Sequence, residues 1–407
     1  MDPLVSPFGT FPLRRYPASP ADPLRAWDAA DELLLLCVAE THPRGMTGHT
    51  VVVNDNWGAL TTALTGDVER LTSITDSFLA RRAVLANVAI CRRPTEGLAY
   101  QTSFDPVEAP IDMLLLKVPK DLGLLEDLLH RLGPRLHARS TVLAAGMTRH
   151  IHRSTLELFT RLVGPTTTSL ARKKARLIHS VVDPLLERPS NPWPNAVTVA
   201  VPGRNEPVTT TNHAGVFSSH RLDLGTRLLL TTLDGLVSGR PPEPNQPPTQ
   251  VIDLGCGNGV VGTAYALLQP ACGVTFIDEA YRAVASAEAT FRATSADGHS
   301  GRFVWGNGIA DLDDSPEIGA GTVDLVLNNP PFHADHAVDT ATAMRMFSDA
   351  HDALRPGGEL VVVGNRHLGH HTRLQRLFGN HEVLAANPRF VVLRAIRSDV
   401  SVGDPRS

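Results

Sequence analysis

Residues 253–259 read Asp-Leu-Gly-Cys-Gly-Asn-Gly and directly follow the apolar pair Val251-Ile252. Glycines at alternate positions let a chain turn tightly after a strand and bring backbone N–H groups close to a ligand. The stretch therefore predicts a strand, a turn and a helix that together cradle a nucleotide-like ligand. Its third glycine comes one residue earlier than in the dinucleotide motif Gly-x-Gly-x-x-Gly, although Gly262 also follows, so this motif alone leaves an NAD-type domain open.

Short apolar or β-branched runs alternate with helix-like stretches from Val251 onward. That alternation is typical of successive βα units and predicts an α/β domain with a parallel sheet. The turn at Asn387-Pro388 leaves no room for a helix, so the last two strands should form an antiparallel hairpin. Such a sheet resembles the class I (Rossmann-like) methyltransferase fold over the whole C-terminal half. The predicted strands are residues 251–254, 273–277, 302–305, 323–327, 359–364, 381–385 and 390–396.

Clusters of proline divide the chain. Residues 186–195 contain three prolines in ten positions, which is typical of a linker between domains. A length of 407 residues also exceeds that of most single domains. We therefore expect two domains, residues 1–190 and residues 191–407. Residues 238–250 hold five further prolines and predict a surface loop inside the second domain.

The first half of the chain repeats the layout of the second in weakened form. Residues 51–59 align with the glycine-rich turn, Asp76 aligns with Asp278, and residues 111–116 align with residues 323–328. Two of the three turn glycines are missing from the first copy. An internal duplication is therefore expected, with two tandem class I methyltransferase domains.

The segment that follows the fourth predicted strand distinguishes the two copies. It reads Asn329-Pro330-Pro331-Phe332 in the second copy and Lys117-Val118-Pro119-Lys120 in the first. The first copy thus lacks the amide, one proline and the aromatic ring. We expect residues 1–190 to be a degenerate, non-catalytic domain with a structural or RNA-binding role, and one catalytic centre in the chain.

The tetrapeptide Asn329-Pro330-Pro331-Phe332 predicts methylation of an amine. An exocyclic amine on a planar base is a poor nucleophile because its lone pair is delocalised, and two hydrogen-bond acceptors can hold it for reaction. The Asn329 side-chain oxygen and the Pro330 carbonyl can be those acceptors, while the prolines stiffen the backbone and remove competing donors. Phe332 can stack on the base. Together with the glycine-rich turn, this predicts S-adenosylmethionine as the cofactor; a merely proline-stiffened loop is the alternative.

The tetrapeptide alone leaves the methyl acceptor open among adenine N6, cytosine N4, guanine N2 and a protein glutamine. Residues 213–218, 222–227 and 364–368, together with His333, resemble those of bacterial ribosomal RNA guanine-N2 methyltransferases, which are two-domain proteins with a degenerate N-terminal copy. A 16S ribosomal RNA enzyme of the RsmC type, a protein-glutamine N-methyltransferase and a non-catalytic RNA-binding assembly factor remain alternatives. Five segments favour the large-subunit (23S) RlmG type, namely residues 26–32, 116–120, 154–159, 164–168 and 365–368.

The resemblance also implies roles for individual residues. It places the target guanine at residues 329–332 and puts Phe217 and His333 near the site. Asp278 ends the second predicted strand, where a carboxylate can accept ribose hydroxyls or cap the next helix. Asn307 can meet an adenine edge or simply form a turn. The residues expected to bind the cofactor are Asp253, Gly255, Gly257, Asn258, Asp278 and Asn307.

A local basic surface must provide any contact with nucleic acid, because the net charge of the chain is −4. Residues 131–180 hold ten Lys or Arg residues and one acid, and they are densest at Arg172, Lys173, Lys174 and Arg176. Such a surface binds phosphates without reading sequence, although a solvated helix face is the alternative. We expect ribosomal RNA as the partner, 23S and naked or partly assembled, because flipping a base out is easiest where RNA is unpaired.

The remaining composition favours neither a metal nor a membrane. Four cysteines are too sparse for a disulfide framework or a zinc cluster and fit a reducing cytoplasm. His367, His370 and His371 have no acidic or cysteine partner at ligand spacing. The longest apolar run, residues 33–39, is far shorter than the roughly 20 residues that cross a bilayer. We expect a cytoplasmic monomer without a metal.

Overall fold

The computed structural model describes residues 2–18, 24–42, 46–239, 249–295, 299–312, 319–331 and 337–398. The chain divides into two compact units, Met1–Trp193 and Pro194–Ser407. The division falls inside the proline-rich segment 186–195. Each unit contains a seven-stranded sheet.

The first unit is built from short strands and helices in alternation. Its described strands are β1 (Leu4–Ser6), β2 (Gly9–Phe11), β3 (Met46–Val53), β4 (Val68–Ile74), β5 (Leu98–Gln101), β6 (Ile111–Lys117), β7 (Leu136–Met147), β8 (Thr166–Thr168) and β9 (Ala175–Ser180). Its described helices are α1 (Ala29–Thr41), α2 (Ala59–Leu64), α3 (Phe78–Ile90), α4 (Leu122–Leu132) and α5 (Arg153–Leu162), with 3-10 turns at Gly133–Arg135 and Thr148–His150.

The second unit repeats this order and, like the first, begins with a two-stranded antiparallel pair. Its described strands are β10 (Asn195–Val199), β11 (Val208–Asn212), β12 (Thr249–Leu254), β13 (Cys272–Asp278), β14 (Ser300–Trp305), β15 (Val323–Asn328), β16 (Leu354–Asn365), β17 (Glu382–Ala386) and β18 (Phe390–Ile396). Its described helices are α6 (Leu224–Leu230), α7 (Leu233–Ser238), α8 (Val260–Leu268), α9 (Tyr281–Thr294), α10 (Ala337–Ala353) and α11 (His370–Phe378), with 3-10 turns at Ile309–Leu312 and Arg366–Leu368.

The two large sheets have the same topology. Their strand orders are β5-β4-β3-β6-β7-β9-β8 and β14-β13-β12-β15-β16-β18-β17. In the first sheet, β9 is antiparallel to both of its neighbours, β7 and β8. In the second sheet, β18 is antiparallel to β16 and β17 in the same way. The predicted α/β class with two tandem methyltransferase-like sheets is therefore confirmed, as are the seven predicted strands of the second half and their terminal hairpin. The β10-β11 pair carried no sequence prediction.

The apolar strands lie in the middle of the sheets, where both of their faces are covered. Val251 of β12 packs in one core cluster with Leu325 and Val361, whereas its neighbour Ile252 packs in another with Val326. Successive side chains of a strand point to opposite faces, so a run without polar residues requires helices on both sides. The carboxyl ends of the parallel strands then meet at one edge of the sheet, where ligands bind in such folds.

Strand register makes the two copies comparable residue by residue. Val53 pairs with Leu116 in the first sheet and Leu254 pairs with Asn328 in the second, so positions 117 and 329 are equivalent, as predicted. The next strand pair corrects the sequence alignment. Val53 is in register with Ile74 and Leu254 with Ile277, which makes Thr75 and not Asp76 the counterpart of Asp278.

Thr75 also has the same local role as Asp278. The Thr75 hydroxyl accepts a hydrogen bond from the Ser77 N–H, and an Asp278 carboxylate oxygen accepts one from the Ala280 N–H. The sequence could not reveal this shift because an acid follows Thr75 directly. Within the described ranges, no helix is long and apolar enough to span a bilayer.

Candidate functional site

The glycine-rich turn joins β12 to α8 at the carboxyl edge of the second sheet. The N–H groups of Gly255 and Cys256 donate to the Ile277 carbonyl and hold the turn against β13. Gly259 has φ +73°, and a Cβ there would lie 2.7 Å from the Ala287 Cα. Gly257 has φ +55°, and a Cβ there would meet no atom within 4 Å. Gly259 therefore allows a close helix packing, while Gly257 leaves its backbone open to a ligand.

A cavity of about 340 Å³ lies in front of this turn. That size falls in the usual range of small-molecule sites, and its position at the carboxyl ends of parallel strands is where such folds bind ligands. Most of the predicted site residues meet there. Those that line the cavity are Phe217, Asp253, Gly255, Gly257, Asn258, Asp278, Asn307, Asn329, Pro330 and Pro331.

Two buried carboxyl groups lie at the floor of the cavity. Asp278 accepts hydrogen bonds of 2.9 Å from the N–H groups of Gly257 and Ala280, and burial raises its pKa. Asp253 accepts one of 2.9 Å from the Gly262 N–H. Burial, with a smaller contribution from Asp278, raises the Asp253 pKa to about 7. Asp253 thus anchors the first turn of α8, whereas Asp278 links the turn to the end of β13.

Two asparagines of the predicted cofactor set have protein partners. Asn258 donates from Nδ2 to the Asn212 Oδ1 at 2.8 Å, so it ties the turn to β11. Asn307 accepts at Oδ1 from an Arg345 guanidinium N–H at 2.8 Å, and its backbone N–H donates to Asp311. The Asn307 Nδ2 is the group of this side chain that can donate to a ligand in the cavity.

Asn329 lies directly after β15 and has one satisfied and one unsatisfied end. Its Nδ2 donates to the Thr226 hydroxyl at 2.8 Å. Its Oδ1 is buried and has no hydrogen-bond partner in the described part of the chain. A buried acceptor without a partner is unfavourable by about 1–3 kcal/mol, so a ligand donor at this point would be strongly favoured.

The aromatic residues expected at the site are only partly described. Phe217 lines the cavity and is 55% exposed, so its ring can contact a bound molecule. Phe332 and His333 lie outside the described residues, and the roles predicted for them remain predictions.

Several cavity residues carried no prediction of their own. Thr226 lies in a segment that supported the family resemblance, but nothing in the sequence connected it to Asn329. Thr342, Arg345 and Met346 come from α10 and also line the cavity. Their spacing of three and four positions puts them on one helix face, yet the same pattern is common in ordinary packing. Cys256 also lines the cavity, and burial raises its thiol pKa well above the usual range, so it stays neutral.

In the first unit, Lys117 takes the position of Asn329 but is enclosed. The residue is 9% exposed, and its ammonium nitrogen lies 2.6 Å from an Asp31 carboxylate oxygen and 2.8 Å from one of Asp28. Burial lowers the Lys117 pKa, but the two carboxylates more than offset this, so the net shift is upward. Burial also raises the pKa of Asp31, to about 7, and that of Asp55. The half-exposed Asp28 differs from these two acids, because burial is outweighed there by Lys117 and the backbone N–H groups of Ala30 and Asp31, which lower its pKa.

The predicted basic residues lie in a tight turn between β8 and β9. Lys173 and Lys174 have φ of +49° and +63°, and Arg172 and Ala175 exchange two backbone hydrogen bonds across them. This two-residue hairpin turn holds both lysines outward in a left-handed conformation that glycine and asparagine usually supply. Lys173 forms a 2.6 Å ion pair with Glu32, while Arg176 is partly buried and its Nε has no hydrogen-bond partner among the described residues. Arg172 and Lys174 are exposed, and no ion pair of either is found in the described part of the chain.

More basic groups surround this turn. The Thr148 N–H donates to the Lys174 carbonyl, which joins the turn to the loop after β7. In that loop, burial lowers the His150 pKa, and Arg149 and Lys120 lower it further. The first unit thus carries a basic edge formed by Lys120, Arg149, Arg172 and Lys174. Among the residues that the structure describes, no group of His, Cys, Asp or Glu could hold a metal ion.

Comparison with known proteins agrees with this architecture. Residues 1–184 match the family model of the RLMG N-terminal domain, and residues 207–394 match that of the methyltransferase small domain. The chain is 50% identical over 399 residues to the ribosomal RNA large subunit methyltransferase G of Streptomyces avermitilis, covering 97% of this chain and 99% of that protein. It is 40% identical to the protein of the same name from Aeromonas salmonicida, covering 95% and 96%.

Among solved structures, the chain is similar to the T. thermophilus 16S rRNA N2 G1207 methyltransferase (RsmC) in complex with AdoMet and guanosine. The TM-score is 0.72 with 20% sequence identity, and the match covers 97% of both chains. At this level of identity the match supports the two-sheet fold.

Proposed function

This chain belongs to the ribosomal RNA large subunit methyltransferase G family, and on that premise we propose that it transfers a methyl group from S-adenosylmethionine to N2 of a guanine in 23S ribosomal RNA. The first unit binds RNA and the second carries out the reaction. The observation that carries the proposal is the buried, unpartnered Asn329 Oδ1 at the wall of the cavity.

The cavity has the groups that S-adenosylmethionine requires. Asp278, at the end of β13, has carboxylate lone pairs beyond its bonds to the backbone N–H groups of Gly257, Glu279 and Ala280 and would accept the ribose hydroxyls. Gly257 has open space where a side chain would stand, so its backbone can lie directly against the cofactor. Asn307, oriented by Arg345, would donate to a ring nitrogen of the adenine. The bound cofactor supplies an electrophilic methyl group.

The tetrapeptide Asn329-Pro330-Pro331-Phe332 holds the methyl acceptor. The Asn329 Oδ1 accepts one N–H of the guanine amine, and the Pro330 carbonyl accepts the other. Both contacts strengthen as positive charge develops on the nitrogen, which lowers the barrier. The product cation loses its proton to water readily, so a general base is unnecessary. Phe332 and the exposed ring of Phe217 stack on the flipped base.

RNA binding by the first unit is supported by its basic edge, Lys120, Arg149, Arg172 and Lys174. These side chains would contact phosphates independently of sequence. A protein-glutamine substrate would need no such surface. The relatives' names favour the large subunit over the small one. The intact turn and Asn329 argue against a factor without turnover. Free or partly assembled RNA is the proposed substrate, because a guanine is easiest to flip out where RNA is unpaired.

The test is methyl transfer from labelled S-adenosylmethionine to ribosomal RNA purified from cells that lack this enzyme. Wild-type protein should label 23S RNA, with N2-methylguanine as the labelled nucleoside after digestion. Asn329→Ala should lower kcat by on the order of 100-fold, as loss of one positioned polar group in an active site does. Asn56→Ala is the matched control, because Asn56 is exposed in the corresponding turn of the first unit.

Three results would count against the proposal. Label in 16S RNA would reject the subunit, and label in protein would reject the substrate class. Equal rates for wild type and Asn329→Ala would remove the proposed role of Asn329.

A further inference from the structure

We propose that Thr226 is a positioning residue whose hydroxyl sets the orientation of the Asn329 amide. The inference rests on the proposed function, in which Asn329 binds the target amine. Thr226 itself does not touch the reacting atoms. It acts by accepting a hydrogen bond from the Asn329 Nδ2, which leaves the Oδ1 as the end that faces the cavity.

The contact between the two residues is short and shielded. The Asn329 Nδ2 lies 2.8 Å from the Thr226 hydroxyl oxygen, and Thr226 is 6% exposed. Thr226 is the third residue of α6, and its backbone N–H donates to the side chain of the N-cap residue Asp223 at 3.0 Å. The helix start therefore fixes the hydroxyl in place, and the hydroxyl in turn fixes the amide.

Orientation matters because the two ends of an amide are chemically opposite. The oxygen accepts hydrogen bonds and the nitrogen donates them. With Nδ2 bound to Thr226, the unpartnered Oδ1 is the end available to an amine in the cavity. The opposite orientation would present N–H groups to the N–H groups of the guanine amine, which repels the substrate where the reaction needs an acceptor.

The first unit supplies an independent geometric argument. Its equivalent helix, α1, has Asp28 as the N-cap residue, and its third residue is Asp31. Asp31 contacts Lys117, the counterpart of Asn329, at 2.6 Å. The third residue of this helix therefore contacts the residue after the fourth strand in both copies. The two copies differ in the side chains that make this contact, which are Asp31 and Lys117 in the first unit and Thr226 and Asn329 in the second.

The experiment compares Thr226→Val, which keeps the shape and removes the hydroxyl, with Thr226→Ser, which keeps the hydroxyl. We expect kcat for RNA methylation to fall about tenfold in the valine variant, the effect of one lost hydrogen bond. The serine variant should remain within about threefold of wild type. Affinity for S-adenosylmethionine, measured by calorimetry, should change less than about twofold in both, because Thr226 acts on the substrate side. If the valine variant does not fold, Thr226→Ala replaces it.

Asn329→Ala and the double variant with Thr226→Val separate the possible failures. If Thr226 acts through Asn329, the double variant has the same kcat as Asn329→Ala alone. Wild-type kcat in the valine variant, or a double variant clearly slower than Asn329→Ala, overturns the positioning role. Wild-type kcat in Asn329→Ala overturns the proposed function itself. Loss of kcat in Asn329→Ala with no loss in Thr226→Val leaves the proposed function intact and rejects only the inference.

Discussion

Position 117 of the first unit and position 329 of the second occupy the same place after equivalent strands, and each contacts the start of the equivalent helix. The lysine is held by two carboxylates, whereas the asparagine leaves one buried oxygen without a partner. The two equivalent positions thus differ in whether their polar groups are already satisfied within the protein. The fold remains the same in both.

The largest difference in stability between the two units is expected when Lys117 is replaced. Lys117→Met leaves Asp28, Asp31 and Asp55 without their cation, so we expect the free energy of unfolding of the first unit to fall by about 3–5 kcal/mol. Hydrogen exchange of the β3 and β6 amides in urea would measure this. The matched change Asn329→Met removes one neutral hydrogen bond and should cost only about 1 kcal/mol. Equal effects of the two changes would contradict the difference between the copies.

The next-largest effect is a dependence of stability on pH, and it concerns the equivalent positions Gly146 and Gly364. A Cβ on Gly146 would meet Ile151, whereas one on Gly364 would meet His370, which is buried with both ring nitrogens unpartnered in the described part of the chain. Burial, and then Arg373 and His371, lower the His370 pKa from 6.5 to about 4. The neutral ring is the folded form, so its contribution is complete above pH 6.5 and is lost as the pH falls toward 4.

We expect the second unit to lose up to about 3 kcal/mol through this group over that interval. His370→Leu should remove that part of the pH dependence, and the exposed His367→Leu should not. Unfolding of both variants and wild type between pH 7 and pH 4 provides the measurement. An unchanged acid limb in His370→Leu would show that another group is responsible.

The N-cap glycine of the helix after each turn should have the same structural role in both units. Gly58 and Gly259 have φ of +80° and +73°, and a Cβ would come 2.8 Å from the Val84 Cα or 2.7 Å from the Ala287 Cα. Alanine at either position should cost about 2 kcal/mol or more, because a left-handed conformation and a backbone clash combine. Thermal unfolding would test this. A large effect at one position alone would show that the turns are not equivalent.

Gly257 should show the difference between the same two turns. Gly257→Ala adds a methyl group in open space and should cost only about 1 kcal/mol of stability through its positive φ. It should also weaken S-adenosylmethionine binding, by about tenfold in calorimetry, because the methyl group points into the space meant for the cofactor. Asn56→Ala in the first unit should change neither quantity. Unaltered affinity in Gly257→Ala would exclude this part of the turn from the cofactor site.

The smallest effect is expected at the basic edge. Lys174→Ala should weaken RNA binding modestly and reduce the slope of log affinity against log salt by about 0.7–0.9, the change for one phosphate contact. Lys173→Ala is the matched control, since Lys173 is already paired with Glu32 and should contribute less. Filter binding over a salt series gives both slopes. A larger change in the Lys173 variant would reverse the assignment.

Patterns that belong to single segments were predictable from the sequence. The strands, the hairpin, the duplication and the glycine-rich turn each depend on local spacing or on similarity between the halves. Contacts between distant segments were not predictable. The bond between Thr226 and Asn329 joins residues 103 positions apart, and the Arg345 to Asn307 bond joins residues 38 apart. The alignment of Asp76 with Asp278 failed because similar residues were matched where strand register decides.

Asp55 is a second case in which residues with equivalent contacts do not align in sequence. In the second unit, Asp253 at the end of β12 bonds the Gly262 N–H; in the first, Asp55 from the turn bonds the Thr61 N–H, the equivalent group. The acid has moved along the sequence while its bond has stayed in place. Neither a motif search nor a sequence alignment would connect the two residues.

The cluster around Lys117 ties position 117 to the stability of the first unit. Asparagine at position 117 alone would leave the buried Asp31 and Asp55 without a compensating cation. Removing the acids first would leave Lys117 buried without its partners. Either change alone would therefore be strongly destabilising. Position 117 and its acids would have to change together to reproduce the arrangement of the second unit.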